Sequence, residues 1–355
     1  MYILALVTDA FGGHGGIAAY NRNFLSSLAD GGASISVLPR LGTPDKLPAR
    51  IDQLAPRRPV PAYIMAALGL ALSRRPFDLI WCGHLRMLPL AHILSRMLGC
   101  PVWLQVHGID AWDRPPPIIK RAADQCRMIT AVSRYTRMRL LEWSDIAPER
   151  VRILQNCLDQ TFSPGPRRQE LLDRYDIAHG PVLLTISRLS AAEGYKGQDR
   201  VLRLLPALAQ RFPGLVYVIG GDGDDRPRLE ALAAEFGVAA HCRFIRRVPA
   251  DELVDHYRLA DLFVMPSTQE GFGIVYLEAM ACGVPAVGLD VDGSVDPLTA
   301  CSLGHAVPKA NLGKTITEIL TDPPRRPERV PEDLAPFSTQ AFSQRVLRLA
   351  REVAR

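Results

Sequence analysis

Lysine is scarce in this chain. Of its 42 basic side chains only five are Lys, at positions 46, 120, 196, 309 and 314, so a lysine inside a motif stands out. No concentrated basic stripe is present. The net charge of +5 against 37 acidic residues suits an anionic ligand or an anionic membrane face and argues against a nucleic-acid binder. Cysteine pairing is missing too: the seven cysteines (82, 100, 126, 157, 242, 282, 301) are odd in number and never spaced Cys-x-x-Cys. That pattern excludes a zinc site and points to reduced, buried thiols in a cytoplasmic protein. The longest apolar run, Ala62 to Leu72, is about half of what a membrane span needs. The opening Met1-Tyr-Ile-Leu-Ala-Leu-Val-Thr-Asp9 has no basic stretch ahead of its apolar run, so it reads as a first strand and not as a signal peptide. There is no short repeat and no low-complexity tract.

What is present is an ordinary globular composition, 48% hydrophobic and 22% charged, over 355 residues. That length exceeds one ordinary core and predicts two domains. The first half alternates strand and helix. Strands are expected at Ile3–Thr8, Ile35–Leu38, Asp78–Cys82, Val102–Val106, Met128–Val132 and Val151–Leu154. Helices are expected at Ala18–Leu28, Ala62–Ser73, Pro89–Leu98 and Ser133–Trp143, the last with Ser133 as N-cap. The polar, turn-rich segment Gln155 to Pro166 reads as a linker. The alternation then restarts. Strands are expected at Val182–Ile186, Leu215–Ile219, Arg243–Ile245, Leu262–Met265 and Val284–Val287, with helices at Asp199–Arg211, Arg226–Phe236 and Ala250–Leu259. The tail carries Phe342, Val346, Leu349 and Val353 at helical spacing. Alternation of this kind predicts α/β architecture with parallel sheets covered on both faces, and ligands outside the C-terminal strand ends.

Several stretches carry chemistry at those ends. Glu270-Gly-Phe272-Gly273-Ile274-Val-Tyr-Leu-Glu278 sets a glycine turn ahead of an apolar helix. Free amides and the positive end of the helix dipole make such a turn an anion site. Glu270 would stand at its mouth, and Glu278 could accept hydrogen bonds from ligand hydroxyls. Paired carboxylates also suggest a glycosidase, which needs both flanking one sugar bond at a fixed separation; a solvent-facing Glu with a capping Glu is the plain alternative. Arg188 and Lys196 follow the strand Val182–Ile186, a planar fork and a point charge suited to one diphosphate, or else two surface cations. His107 follows another strand, within Gln105-Val-His107-Gly-Ile-Asp110, as a hydrogen-bonder or proton carrier or as a structural residue. Gly12-Gly-His-Gly15-Gly16 is a tight turn or a substrate-facing loop; it does not match the dinucleotide fingerprint.

Together these segments resemble the retaining glycosyltransferases of family 4 (glycosyl transferases group 1). The stretch Glu270–Glu278 with Ala-Met-Ala-Cys-Gly-Val-Pro285, Ser-Arg188-Leu to Lys196-Gly, Gly220-Gly221-Asp-Gly223 and His107-Gly occur in the family's order over nearly the whole chain. The resemblance implies a GT-B fold, two Rossmann-like doubly wound domains facing a central cleft: an acceptor-binding domain at 1–160, a nucleotide-sugar-binding domain at 161–338 and a closing helix at 339–355. It implies that Arg188 and Lys196 hold the diphosphate, Glu278 the ribose, Glu270 the donor sugar, and amides around Phe272, Gly273 and Ile274 the sugar or distal phosphate. His107 and neighbouring Asp110 would face the donor sugar, Gly15 and Gly16 would approach the diphosphate, and Gly221 would line the site. Where many members carry Gly-Gly-x-x-Glu, this chain has Gly288-Leu-Asp-Val-Asp-Gly293-Ser294-Val-Asp296, with Gly293 and Ser294 as stand-ins. An Ala-Ala-Glu-Gly-Tyr insert separates Arg188 from Lys196.

The function so implied is transfer of a sugar from GDP-mannose or a UDP-sugar to a saccharide or lipid-linked saccharide in bacterial polysaccharide or glycoconjugate synthesis. It would proceed with retained configuration, without metal or other cofactor, in the cytoplasm or at the inner face of the cell membrane. The helix bearing Arg134, Arg137 and Arg139 with Met138, Leu140, Leu141 and Trp143, and Ile118-Ile-Lys120-Arg121, read either as contacts with an anionic membrane or as ordinary amphipathic structure with its polar face in water. Competing readings are a GT-B-fold epimerase or phosphorylase, and a catalytically silent sugar-nucleotide-binding subunit.

Overall fold

The computed structural model describes residues 1–44, 46–73 and 76–353. The chain forms two compact units, Met1–Cys157 with Phe337–Arg355, and Leu158–Pro336. The change from one to the other falls inside the polar segment after residue 155.

The first unit runs β1 (Tyr2–Val7), α1 (Gly16–Asp30), β2 (Ser34–Pro39), β3 (Ile51–Gln53), α2 (Val60–Leu72), β4 (Leu79–Cys82), α3 (Leu88–Leu98), β5 (Val102–Val106), α4 (Pro117–Asp124), β6 (Met128–Ala131), α5 (Arg134–Trp143) and β7 (Val151–Ile153). Its seven strands are parallel in the order β3-β2-β1-β4-β5-β6-β7. Continuous runs such as Ile3 to Val7 are buried on both faces, as a covered parallel sheet requires. Alternate residues serve opposite layers. Leu4, Leu6, Ile80, Cys82 and Leu104 pack under α2 to α5. Trp81 and Trp103 point the other way and meet Phe24 of α1 at 4.4 and 4.9 Å between ring centroids. Ser133 caps α5, its Oγ accepting from Thr136 N at 3.1 Å.

The second unit runs α6 (Gln169–Arg174), β8 (Val182–Ile186), α7 (Gln198–Arg211), β9 (Val216–Gly220), α8 (Arg226–Glu235), β10 (Cys242–Ile245), α9 (Leu253–Leu259), β11 (Leu262–Val264), α10 (Ile274–Ala281), β12 (Ala286–Leu289), α11 (Val295–Leu298), β13 (Gly304–Val307) and α12 (Leu312–Thr321). Its sheet is also parallel, in the order β10-β9-β8-β11-β12-β13. The last helix, α13 (Thr339–Val353), belongs to the first unit, where Phe342 meets Tyr20 of α1 edge-on at 5.6 Å.

The alternation read from the sequence holds, with additions and shifts. Strands β3 and β13 and helices α4, α6, α11 and α12 join it. β3 has only three residues, one of them Asp52, so its pairing with β2 and not its composition makes it a strand. The strand expected at Val284–Val287 lies two residues on, because Pro285 has no amide to donate; its carbonyl instead accepts from Phe263 N. All seven cysteines are free and buried. Among the described residues no helix is long and apolar enough to cross a membrane.

Candidate sugar-nucleotide site

In an open parallel sheet the crevice lies where the chain order reverses, outside the C-terminal strand ends. In the second unit that point is between β8 and β11, and the loops that leave these two strands are Ser187 to Lys196 and Met265 to Gly273. Three contacts tie them together. Tyr195 O accepts from Thr268 N at 3.0 Å, Arg200 reaches Pro266 O at 2.6 Å, and Gly197 takes φ +85 where a Cβ would strike that same carbonyl. Lys196 is thereby brought to Glu270, 74 residues away, and their side chains form a largely buried ion pair. Burial pulls the Lys196 ammonium down, but Glu270, with Tyr195 and Glu193, outweighs it and the net shift is upward.

Glu270 is held from behind. Its N–H donates to Asp292 Oδ2 at 2.7 Å, and its carbonyl accepts from Gly293 N at 2.9 Å. Asp292 Oδ1 accepts from Ser294 N at 2.9 Å and Ser294 Oγ at 2.6 Å. A Cβ on Gly293 would strike the carbonyls of Gly271 and of Glu270 itself. Gly293 and Ser294 are buried and support the Glu270 turn. Burial raises the Asp292 carboxyl against those hydrogen bonds.

The turn continues into α10. Gly273 sits in the left-handed region at φ +81 as the N-cap, with no side chain capping the helix. Phe272 is buried, while Ile274 and Val275 are half-buried at the first turn. Uncapped first-turn amides are the element expected to meet a phosphate or sugar oxygen. One turn on, half-buried Glu278 accepts from the buried Tyr257 hydroxyl of α9 at 2.6 Å. Burial lifts the Glu278 carboxyl to about 7, opposed by the Tyr257 hydrogen bond and assisted by Asp159.

Arg188 does not join Lys196. It is 79% exposed and pairs with Glu193 of the insert, whose other carboxylate oxygen is buried without a hydrogen-bond partner. Gly221, at φ +145, lies where a Cβ would strike Ser187 O, so it lets the β9 end pass close beneath the β8 loop. Asp292, Tyr257 and Glu193 were not singled out in the sequence. Asp292-Gly-Ser294 carries an Asx-turn signature that could have marked the first; Tyr257 has no local signal.

The first unit has its own group around the β1–β4 switch point. His107 Nε2 lies 3.1 Å from Gly83 O, and since a carbonyl only accepts, that nitrogen carries the hydrogen. Burial, then His84, hold the imidazole down to about 3 against the Gly83 hydrogen bond, so it is neutral at ordinary pH. Held to Gly83 O, it is a fixed hydrogen-bonding group there. Asp110 Oδ1 accepts from His107 N at 3.0 Å, Oδ2 is buried without a partner, and burial lifts the carboxyl to about 7 against four backbone amides. In the glycine loop, Gly12 and Gly13 are packed against Thr43 and Asp9, whereas a Cβ at Gly15 or Gly16 would meet nothing within 4 Å. Gly15 has φ +90 and opens α1 with no side-chain cap. Within this loop, space is therefore left at Gly15 and Gly16.

The helix expected at a membrane, α5, uses its cations internally. Arg137 donates to Val151 O and Pro148 O, Arg139 to Tyr135 and Trp112 O, and Trp143 is buried with its indole N–H on Ala111 O. Among the described residues no group of three or more His, Cys, Asp or Glu side chains could hold a metal ion.

Known proteins resemble this chain in sequence and in fold. The profile described as Glycosyl transferases group 1 matches residues 170–332, and that described as Glycosyltransferase Family 4 matches residues 14–162. The GDP-mannose-dependent alpha-(1-6)-phosphatidylinositol monomannoside mannosyltransferase of Mycolicibacterium smegmatis is 32% identical over 270 residues, covering 72% of this chain and 70% of that protein. Alpha-D-kanosaminyltransferase of Streptomyces kanamyceticus is 27% identical, covering 71% of this chain and 69% of its own. The crystal structure of Anabaena HepE in complex with UDP and glucose shares the fold with a TM-score of 0.79 at 18% identity, over 99% of both chains.

Proposed function

Since the chain belongs to the group 1 glycosyl transferases, of the family 4 type and GT-B fold, we propose that it transfers a hexose from a nucleoside diphosphate sugar to a saccharide hydroxyl with retained configuration. That it is a glycosyltransferase follows from the family. The donor, the stereochemistry and the acceptor are the proposal.

The observation that carries the donor site is the Lys196–Glu270 pair at the β8–β11 switch point, with Glu278 one turn into the α10 helix that follows. In this reading Lys196 moves from Glu270 onto the diphosphate and Arg188 joins it, which leaves Glu270 to orient the donor sugar. Glu278 accepts from the ribose hydroxyls through the oxygen that Tyr257 leaves open, and the first amides of α10 take the distal phosphate or sugar. The bond from C1 to the phosphate oxygen breaks while an acceptor oxygen bonds C1 on the same face. The acceptor proton passes to the released phosphate oxygen, and the nucleoside diphosphate departs. Lys196 and Arg188 supply the charge stabilisation that a metal would give, each worth about 3–4 kcal/mol of barrier. The first unit binds the acceptor, with Gly15 and Gly16 leaving room and neutral His107 and the Asp110 carboxyl offering hydrogen bonds to sugar hydroxyls.

GDP-mannose is the proposed donor and a lipid-linked saccharide at the inner membrane face the proposed acceptor, supported by relatives named for both GDP-mannose and a phosphatidylinositol mannoside. A thermal-shift panel of GDP, UDP, ADP and their sugars tests the donor site. GDP and GDP-mannose should raise Tm most, and Lys196→Ala should abolish the shift. No shift with any nucleotide, or a full shift in Lys196→Ala, would sink the assignment.

A further inference from the structure

The helical layer over one face of the first unit's sheet presents an unusual surface. α2 reads Val60-Pro-Ala-Tyr-Ile-Met-Ala-Ala-Leu-Gly-Leu-Ala-Leu72, thirteen positions without a charge, yet only Tyr63 and Ala67 are buried. A helix that is apolar all round is normally enclosed by the core, and a surface helix normally turns polar residues outward. Here Met65 and Leu72 are 69% and 71% exposed, and Ile64 and Leu72 are spaced to share a stripe. α3, which packs against α2, turns Ile93 and Met97 outward, one turn apart. An exposed apolar patch on one helical layer marks an interaction surface.

The charge around it says what kind. Between Asp52 and Asp110 the sequence holds one acidic residue, Asp78, against six arginines, 57, 58, 74, 75, 86 and 96. Asp78 is engaged by the Tyr2 amide at 2.8 Å. Arg57 and Arg58 stand just ahead of α2, Arg86 and Arg96 before and on α3, and all four are exposed; Arg74 and Arg75 lie outside the described residues. The neighbouring α4–α5 surface differs. There Lys120 is paired with Asp124 and Asp145, and Arg139 with Glu142 and Asp113. A second copy of the chain would bring arginine against arginine across a twofold axis. A sheet of lipid phosphates with acyl chains beneath matches both features at once: apolar side chains enter the boundary and arginine heads stay at the phosphates.

We infer that the α2–α3 face docks on an anionic lipid bilayer, with Met65, Leu72, Ile93 and Met97 inserted and Arg57, Arg58, Arg86 and Arg96 on lipid phosphates. This moves the membrane contact from α5 to α2 and α3. It deepens the proposed use of a lipid-linked acceptor, although the observations behind it concern neither the donor nor its chemistry.

Co-sedimentation of the whole chain with phosphatidylcholine vesicles, with and without phosphatidylglycerol, tests it. The wild type should pellet with the anionic vesicles only, and less as salt rises. Met65→Asp with Leu72→Asp should weaken binding by about tenfold or more, and Arg57→Ser by roughly fivefold. Met138→Asp on α5 should bind as the wild type. All these positions are exposed, and the Tm and nucleotide-induced shift of each variant, measured without vesicles, report folding and the donor site separately. Failure of the wild type to pellet, or equal pelleting of the Met65/Leu72 variant, overturns the inference. So does sedimentation velocity showing a dimer that this variant dissociates, since a second copy would then be the occupant.

Discussion

Replacing Glu278 with Gln should flatten the pH dependence of nucleoside diphosphate binding. Burial lifts the Glu278 carboxyl to about 7, partly opposed by the Tyr257 hydroxyl, so half of the unbound protein is protonated there near neutrality. Ribose hydroxyls donate best to a carboxylate, and binding then releases the proton. The apparent Kd is raised by 1 + 10^(7−pH), roughly elevenfold at about pH 6 and close to nothing at about pH 8, a difference of about 1.4 kcal/mol. Titration calorimetry across that range, with inorganic pyrophosphate as a ligand lacking ribose, separates this effect from titration of the ligand's own phosphates. The wild type should show the extra tenfold for the nucleotide but not for pyrophosphate, and Glu278→Gln should show it for neither. Equal slopes in wild type and variant would refute the ribose role. Stability gives an independent check of sign. A carboxyl raised from 4.5 to about 7 holds its proton more tightly in the folded state. Its contribution is therefore complete below the unfolded value and lost as pH rises through about 7, by at most about 3 kcal/mol before solvent screening of a half-buried group. Glu278→Gln should remove that slope from the Tm profile.

Two further outcomes follow from the same site. Lys196→Ala should lower stability by about 3 kcal/mol because it leaves Glu270 buried and unpaired. The double variant with Glu270→Ala should recover most of that loss in chemical denaturation while remaining unable to bind nucleotide; a double variant no more stable than the single one would contradict the coupling. Glu193→Gln should release Arg188 and tighten nucleoside diphosphate binding about two- to fivefold, an effect that shrinks with salt. Unchanged affinity at low ionic strength would show that Arg188 is not restrained by Glu193.

The apolar runs and helical spacings, read in order, were enough for an α/β chain of two parallel sheets, because strands buried on both faces must be continuous in apolar residues and their crossover helices must alternate with them. The helix tail at 339–353 was equally plain from Phe342, Val346, Leu349 and Val353. Local sequence also marked Glu270, Glu278, Lys196, Arg188 and His107, since glycines and charges after an apolar run fall at strand ends. What it could not supply was which of these meet. Lys196 and Glu270 are 74 positions apart and come together only because β8 and β11 are neighbours at the switch point. Arg188 carries the same local signal as Lys196, yet it turns to Glu193, a residue of the insert. Tyr257 reaches Glu278 from another helix, and Asp292 joins Ser294 to the Glu270 turn. The sequence does not show that Arg137 and Arg139 of α5 donate to backbone carbonyls, or that the apolar α2 is left largely exposed. Composition and periodicity are local properties of the chain and mark most of its strands and helices, but not β3, which its pairing with β2 alone makes a strand. Partner choice and residual exposure depend on strand order, and only the tertiary structure decides those.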